Sequence, residues 1–320
     1  MNESLPSGCL EVPPYWRLGA GKSLGFHPLG KFEYHDIVDV KQGDHLVQDP
    51  FKITEPTVVS FSGGRTSGYM LWRILQSNGG LPEEAKVVFA NTGKEEEATL
   101  KFVKDCQDNW KVPILWLEYI REDPKFKEVT FETASRNGEP FEVLIEKKKF
   151  LPNPVTRFCT AELKIRTIHR YFKSIGWEHD ENTDWIGIRA DEPRRAAKMS
   201  KDRVPLFVAG VTAQDVGEFW KSQSFDLGLP NFNGKTYHGN CDLCFLKGYP
   251  QTLSLIQEKP ERAIWWAKME AKIQSSGEFS GDGARFRKDR PSYVSMMQFA
   301  QDQGDMFGSD EDSISCFCGD

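Results

Sequence analysis

The chain has 320 residues, of which 39% are hydrophobic and 28% are charged. These proportions allow a large buried core, in one α/β domain with additions or in two domains. No apolar stretch approaches the ~20 residues of a membrane helix, and the N-terminus lacks the pattern of a signal peptide, so we expect a cytoplasmic protein with no membrane partner. The net charge of −6 disfavours a general nucleic-acid coat protein but not a local basic site.

The first chemistry-bearing motif is a glycine loop between a β-branched segment at 57–61 and an apolar segment at 68–75. Its residues are Ser62, Gly63, Gly64, Arg65, Thr66 and Ser67. Adjacent glycines allow a tight turn in which successive N–H groups point at one anion, and a following helix adds partial positive charge. The pattern predicts a strand, a phosphate-binding loop and a helix. An ordinary strand-to-helix turn is the alternative.

This loop resembles the SGGxxS loop of the PP-loop family, the ATP pyrophosphatases and adenylyl-sulfate reductases, also called adenine nucleotide alpha hydrolase-like proteins. Further segments between residues 58 and 248 are similar to blocks of the phosphoadenylyl-sulfate reductases and occur in the same order. They are 85–93, with Asn91 where the reductases carry Asp, 184–195, 204–206, 214–220 and the Gly239-x-Cys241-x-x-Cys244 motif. Each block alone is a weak signal, so the resemblance depends on the whole set of blocks in the same order.

The resemblance implies an adenine nucleotide, ATP or an adenylyl sulfate, bound by the glycine loop. It adds a set of further residues to the site: Thr92, Gly93, Glu95, Lys164, Arg189, Arg194 and Arg195. Thr92, Gly93 and Glu95 would border the nucleoside and any Mg²⁺. The arginines, with Arg65, are candidates for phosphate or sulfate oxygens, which guanidinium forks match bidentately. Lys164 and Arg189 are the catalytic candidates, since cations stabilise a thiolate or a developing anion.

Apolar periodicity predicts an α/β fold, with a parallel twisted sheet covered by helices on both faces, as in Rossmann-like proteins. Predicted strands are 58–61, 87–90, 113–119, 185–188 and 206–208, and predicted helices are 95–110, 161–175, 254–272 with a break at Pro260, and 288–306. The loops at Ser62, Thr92 and Arg189 would then meet beyond the carboxyl ends of the strands. We divide the chain into an N-terminal extension (1–55), a PP-loop domain with the cysteines (56–250) and a helical C-terminal part with a cysteine-containing tail (251–320).

Seven cysteines, an odd number, argue against a secreted disulfide scaffold. The spacing of Cys241 and Cys244 lets both thiolates reach one metal, and Cys106 lies on the apolar face of its predicted helix. The segment around Cys159 resembles the Cys-Cys-x-x-Arg-Lys segment of iron-sulfur adenylyl-sulfate reductases, with Phe158 in place of the first cysteine. The resemblance implies a 4Fe-4S cluster on Cys159, Cys241 and Cys244.

The identity of the metal and of its fourth ligand stays open. The fourth iron is either open, as in three-cysteine tRNA thiolation enzymes, or capped by Cys316 or Cys318. A structural zinc site built from Cys241, Cys244 and two residues among Cys159, His238, Cys316 and Cys318 fits the same residue types. The two tail cysteines are a redox dithiol acting as nucleophile, cluster ligands, or exposed residues without a role.

The expected function is sulfur transfer or reduction through an adenylylated or sulfated intermediate. In one version ATP is split at its α-phosphate and sulfide replaces the AMP on an acceptor. In the other, a tail thiolate attacks the sulfur of an adenylyl sulfate and sulfite is released. A nucleotide sensor or partner-binding protein with a structural zinc is the non-enzymatic alternative. The sequence does not identify the sulfur donor, the sulfur acceptor or the oligomeric state. The acceptor is a small molecule or a nucleic acid.

Overall fold

The computed structural model describes residues 49–177, 184–232, 235–236, 238–239, 241–277 and 284–308. Most of the predicted extension and the tail with Cys316 and Cys318 lie outside the described residues. No helix in the described ranges is both long enough and apolar enough to cross a membrane.

A five-stranded sheet forms the centre of the fold. Its strands are β1 (Thr57–Ser60), β2 (Ala85–Asn91), β3 (Ile114–Glu118), β4 (Lys127–Val129) and β5 (Trp185–Ile186). The order across the sheet is β4-β3-β2-β1-β5, with β1, β2, β3 and β5 parallel. The sheet is mixed, because the edge strand β4 runs antiparallel to β3. A separate two-stranded hairpin consists of β6 (Asn231–Phe232) and β7 (Lys235–Thr236).

Helices connect and cover these strands. They are α1 (Arg65–Asn78), α2 (Glu97–Trp110), α3 (Glu139–Lys148), α4 (Arg166–Ser174), α5 (Pro193–Ala196), α6 (Pro205–Val208), α7 (Ala213–Lys221), α8 (Tyr249–Glu258), α9 (Arg262–Ser275) and α10 (Tyr293–Gly308). A π-helix at Thr160–Ile165 leads directly into α4, and a short 3₁₀ helix occupies Lys201–Arg203. The break predicted at Pro260 is confirmed, since α8 ends before it and α9 begins after it.

Helices lie on both faces of the sheet, as predicted. Side chains alternate along a strand, so neighbouring residues enter different cores. Val59 of β1 packs with the apolar faces of α1, α2 and α7, and here Cys106 is fully buried as expected. Val58 packs on the other face with Ile168 and Phe172 of α4. The fold is therefore α/β with a mostly parallel sheet.

The strand predicted at 206–208 is wrong, because this segment is helix α6. Pro205 occupies the first helical turn, where its fixed φ is favourable and its missing N–H costs nothing. Leu206 is buried but Val208 is half exposed, so the segment contributes one core residue and no sheet edge.

The C-terminal helices build a second core next to the carboxyl edge of the sheet. Residues of α3, α8, α9 and α10 pack there around the fully buried Trp266. Leu243 and Phe245, which flank Cys244, are buried in the same core. Helices α8, α9 and α10 thus pack against the cysteine segment.

Candidate functional site

The glycine loop is organised from within by the hydroxyl of Ser67. This buried oxygen accepts hydrogen bonds from the backbone N–H groups of Ser62 (3.2 Å) and Gly64 (3.3 Å) and donates to the Gly64 carbonyl (2.9 Å). Gly63 has a φ of +74°, and a Cβ there would lie 2.5 Å from a Thr99 methyl group. The loop therefore requires glycine at 63 and a hydroxyl at 67 to hold its shape.

The same loop presents backbone donors at the start of α1. Helix geometry leaves the first N–H groups, here those of Arg65, Thr66 and Ser67, without an acceptor inside the helix. Gly64 has an ordinary φ of −105°, and a Cβ there would lie 3.7 Å from Ser62 Oγ, its only close neighbour. These features match an anion site at a helix N-terminus, with Gly64 at its open side.

Arg65 is engaged by the protein itself. Its Nε and Nη2 donate to the two carboxylate oxygens of Asp226 at 2.7 and 2.5 Å, Nη2 also donates to the Leu229 carbonyl, and Nη1 donates to Thr236 Oγ1. The residue is 9% exposed. Every guanidinium nitrogen thus has a protein acceptor, so Arg65 ties the segment 226–236 to the start of α1.

Arg189 is the arginine that reaches the loop. Its Nη1 donates to Thr66 Oγ1 at 2.9 Å, while its Nε donates to Asp191. Gly187, two residues earlier, allows this approach, because a Cβ at 187 would lie 3.3 Å from the Ser67 Cα. The 184–195 segment and the glycine loop, predicted separately, are therefore in direct contact.

Arg194 and Arg195 make fewer contacts with the protein than Arg65 and Arg189 do. Both are exposed on the short helix α5. Arg195 pairs with Glu192 at 2.5 Å, and Arg194 makes no hydrogen bond or ion pair with a described residue. The structure does not bring either guanidinium into contact with the loop residues.

The turn after β2 contacts the cysteine segment. Thr92 Oγ1 lies 3.3 Å from Cys241 Sγ and donates to Glu95 Oε1 at 3.1 Å. Residues Glu95 and Cys241 also form an isolated antiparallel bridge. Gly93 (φ +76°) packs so closely on Gly138 that a Cβ would lie 3.1 Å from the Gly138 Cα. The 85–93 block and the Gly239-x-Cys241-x-x-Cys244 motif are thus in direct contact.

A buried ion pair lies at this junction. Lys164 Nζ is 3.1 Å from Glu95 Oε1, and the Glu95 side chain is fully buried. Burial opposes charge on the lysine, but the Glu95 carboxylate and the neighbouring Cys241 and Cys159 sulfurs outweigh it, so the pKa of Lys164 is raised. The second carboxylate oxygen, Glu95 Oε2, is buried and has no described hydrogen-bond partner.

Cys159, Cys241 and Cys244 pack against the core around Trp266. Burial raises the pKa of all three thiols, and that of Cys241 is raised furthest, with the Glu95 carboxylate as its second cause. Electrostatic interactions connect Cys244 with both other sulfurs. Cys159 immediately precedes the π-helix, a feature that occurs frequently at functional sites. The three predicted ligands therefore line one core, although among the described residues their thiols are not arranged to hold a metal ion.

The cysteine segment is anchored to the turn by Asp242. Its backbone N–H donates to the Lys94 carbonyl at 2.8 Å, and its carboxylate lies 3.2 Å from Lys94 Nζ and accepts from Trp266 Nε1 at 2.8 Å. Sequence analysis missed Lys94, Asp242 and Trp266, because none of them belongs to a motif with known spacing. Asp242 lies between the two cysteines and Lys94 lies between Gly93 and Glu95, so both adjoin residues that the sequence singles out.

The candidate metal ligands have suitable residue types, but their side chains are not arranged around a metal position among the described residues. Among the described residues, no group of three or more His, Cys, Asp or Glu side chains is arranged to hold a metal ion. His238 is a candidate zinc ligand, and its Nε2 is 2.7 Å from Glu258 Oε2. Cys106, Cys159, Cys241 and Cys244 are free cysteines. Cys316 and Cys318 lie outside the described residues.

Two uncharacterized proteins are similar to this chain. An uncharacterized nin region protein of Escherichia phage lambda is 32% identical over 202 residues, which cover 59% of this chain and 66% of the phage protein. An uncharacterized protein of Methanocaldococcus jannaschii is 29% identical over 148 residues, covering 46% of this chain and 26% of the archaeal one. The match spans less than two thirds of either relative. No family model matches the sequence.

Proposed function

We propose that this chain is a PP-loop enzyme of the phosphoadenylyl-sulfate reductase-like group, which binds an adenine nucleotide and a 4Fe-4S cluster and carries out sulfur chemistry. One observation supports this most strongly: Thr92 Oγ1 lies 3.3 Å from Cys241 Sγ. The turn that would border the nucleotide thus touches a candidate metal ligand. Nucleotide binding and thiol chemistry at one sheet edge are what the reaction class requires.

The anion end of the nucleotide fits the glycine loop. The N–H groups at the start of α1 supply donors, and Arg189, held by Asp191 and by Thr66, supplies a positive charge. Arg65 contributes indirectly, because its ion pair with Asp226 fixes the first residue of α1. Adenylyl transfer and sulfate reduction both place negative charge at this position, so the loop serves either reaction.

The cysteine set fits an iron-sulfur cluster by its chemistry. It offers three thiols, the ligand type that 4Fe-4S clusters take, in a buried setting beside the Lys164 ammonium. When bound, the cluster would supply iron at which sulfur can be held close to the nucleotide. The chain's own part is to hold Lys164 against Glu95, which keeps a cation beside the sulfurs. A structural zinc on the same residues is told apart by metal analysis.

Two reactions are compatible with this site. In the first, an acceptor oxygen attacks the α-phosphorus of ATP and pyrophosphate leaves; sulfide from a donor then forms a carbon–sulfur bond as the carbon–oxygen bond to AMP breaks. In the second, a tail thiolate attacks the sulfur of an adenylyl sulfate and displaces the nucleotide. The second tail thiol then forms a disulfide with the first and releases sulfite, so that two thiols supply the two electrons.

Calorimetric titration with ATP and with adenylyl sulfates, 3′-phosphorylated and not, tests the nucleotide site. Gly64→Val should abolish binding, because the side chain covers the backbone donors while φ and local space at 64 permit it. Gly217→Val, in open space on α7, is the matched control. Unchanged binding by a folded Gly64→Val protein would refute the assignment of this loop.

Truncation after Ser315 separates the two reactions. A reductase that uses a tail nucleophile should lose turnover and still bind adenylyl sulfate. A sulfur-transfer enzyme should keep ATP cleavage to AMP and pyrophosphate in the presence of its acceptor. Loss of iron on truncation would instead identify the tail as the fourth ligand and would contradict the open-iron form of the proposal.

A further inference from the structure

Positive charge is concentrated around Cys159. The segment from Lys147 to Trp177 contains eight Lys or Arg residues and a single acidic residue, Glu162, in a chain whose net charge is −6. The remainder of the chain is therefore strongly acidic. A basic segment that carries both Cys159 and Lys164 marks one side of the candidate site as a surface for anions.

The one acidic residue of this segment does not offset that charge at the surface. Glu162 is buried, with 7% exposure, and its carboxylate accepts from Lys148 (3.0 Å), Arg166 (2.7 Å) and Arg170 (3.3 Å). Three cations thus share one carboxylate, which leaves a local surplus of positive charge. Glu162 also fixes the direction of these three side chains.

This cation cluster adjoins the cysteines. Lys148 Nζ lies 5.9 Å from the ring centroid of Phe158, the residue before Cys159. Glu162 belongs to the same π-helix as Lys164, whose ammonium lies 3.1 Å from Glu95 Oε1, the oxygen that also accepts from Cys241 Sγ at 3.8 Å. A ligand bound by the cluster would therefore reach the thiol site from its basic side.

The cluster extends further than a small anion requires. Arg166, Arg170 and Lys173 recur at the spacing that places them on one face of α4, about 5 to 6 Å apart, and span about 10 Å of helix. The Arg166 side chain is 60% exposed, and Lys173 and Arg157 are exposed as well. A nucleic-acid strand carries one charge per ~3.4 Å, so this stripe matches several consecutive phosphates.

We propose that the surface formed by Lys148, Arg157, Arg166, Arg170 and Lys173 binds the phosphodiester backbone of a nucleic acid. This inference rests on the proposed function, and it makes a nucleic acid the sulfur acceptor that binds beside Cys159. The backbone contacts fix position and are independent of sequence. DNA and RNA share this chemistry, and the test distinguishes them.

Fluorescence anisotropy with labelled single-stranded DNA, duplex DNA and RNA tests the surface in the full chain. We expect binding that weakens steeply between about 50 and 200 mM salt. Arg157→Glu combined with Lys173→Glu should weaken it at least about tenfold and reduce the salt slope by about two. Lys52→Glu combined with Lys221→Glu, at exposed positions elsewhere, makes the same change in net charge and should retain affinity. The milder Arg157→Gln with Lys173→Gln should give an intermediate loss.

Several outcomes would overturn the proposal. The first is a wild type that binds no nucleic acid, and the second is an equal loss of affinity in the two charge-reversed proteins. The third is competition by polyglutamate as strong as that by nucleic acid at equal charge, which would indicate an acidic protein partner. Titration of the same variants with ATP keeps this test separate from the proposed function. In the variants, loss of nucleic-acid binding with unchanged ATP binding is the expected result. A wild type that binds ATP or an adenylyl sulfate but no nucleic acid removes only the acceptor assignment, whereas a wild type that binds none of these nucleotides removes the function itself.

Discussion

Thr92 Oγ1 and Cys241 Sγ lie 3.3 Å apart, although 149 residues separate them in the chain. The contact connects the turn after β2 with the Cys-x-x-Cys segment, and Asp242 strengthens it through Lys94. Any ligand that orders the turn therefore also restrains a candidate metal ligand.

Iron content tests the cysteine assignment directly. Protein purified without oxygen should be brown, with about four irons and four sulfides per chain. Cys159→Ser, Cys241→Ser and Cys244→Ser should each lose most of that content. Cys106→Ala, which changes a fully buried core cysteine, should keep it. A colourless protein with about one zinc per chain would establish the structural zinc instead.

Lys164 is expected to compensate the buried carboxylate of Glu95. Lys164→Met leaves that charge without its cation and should lower the free energy of unfolding by about 2–4 kcal/mol, as measured by urea denaturation. Adding Glu95→Gln removes the uncompensated charge and should restore part of the loss. Additive losses in the double variant would show that the two side chains do not act as a pair.

The ion pair between Arg65 and Asp226 should stabilise the loop in a pH-dependent manner. Burial opposes ionisation of Asp226, but the hydrogen bonds and charge of Arg65 outweigh it and hold its pKa below the ordinary value. Because the folded-state pKa is lowered, the stabilisation is present above the unfolded pKa and lost as pH falls through the folded one.

Asp226→Asn should therefore lower the free energy of unfolding by about 1 kcal/mol at neutral pH, because Asp226 is partly exposed and solvent screens the pair. The difference from the wild type should shrink below about pH 4. A difference that stays constant between neutral and acidic pH would mean that the ion pair does not cause it. Denaturant titrations at several pH values measure both quantities.

Gly138 should be intolerant of a side chain because of Trp265. A Cβ at 138 would lie 2.4 Å from Trp265 Nε1, and its φ is +85°. Gly138→Ala should lower the free energy of unfolding by about 1–3 kcal/mol. Gly79→Ala, with a φ of +70° and no atom within 4 Å, measures the backbone cost alone. Equal losses in the two variants would show that the contact with Trp265 contributes nothing.

Most of the local elements can be predicted from residue patterns along the chain. Apolar runs at 58–61 and 87–90 were sufficient for the central strands, because a buried parallel strand needs little besides β-branched and apolar residues. The break at Pro260 followed from the chemistry of proline. The prediction of a strand at 206–208 is wrong because a short apolar run is compatible with either a strand or a helix. Pro205, in the first turn, favours the helix.

Only the tertiary structure decided how the candidate site residues are used. Arg65 was expected to face an anion, but its partner Asp226 lies 161 residues away and follows no motif. Thr92 and Cys241, or Glu95 and Lys164, are likewise paired by the packing of distant segments. Periodicity and turn chemistry report on neighbours within a few residues, whereas such pairings depend on how the whole core closes around the sheet edge.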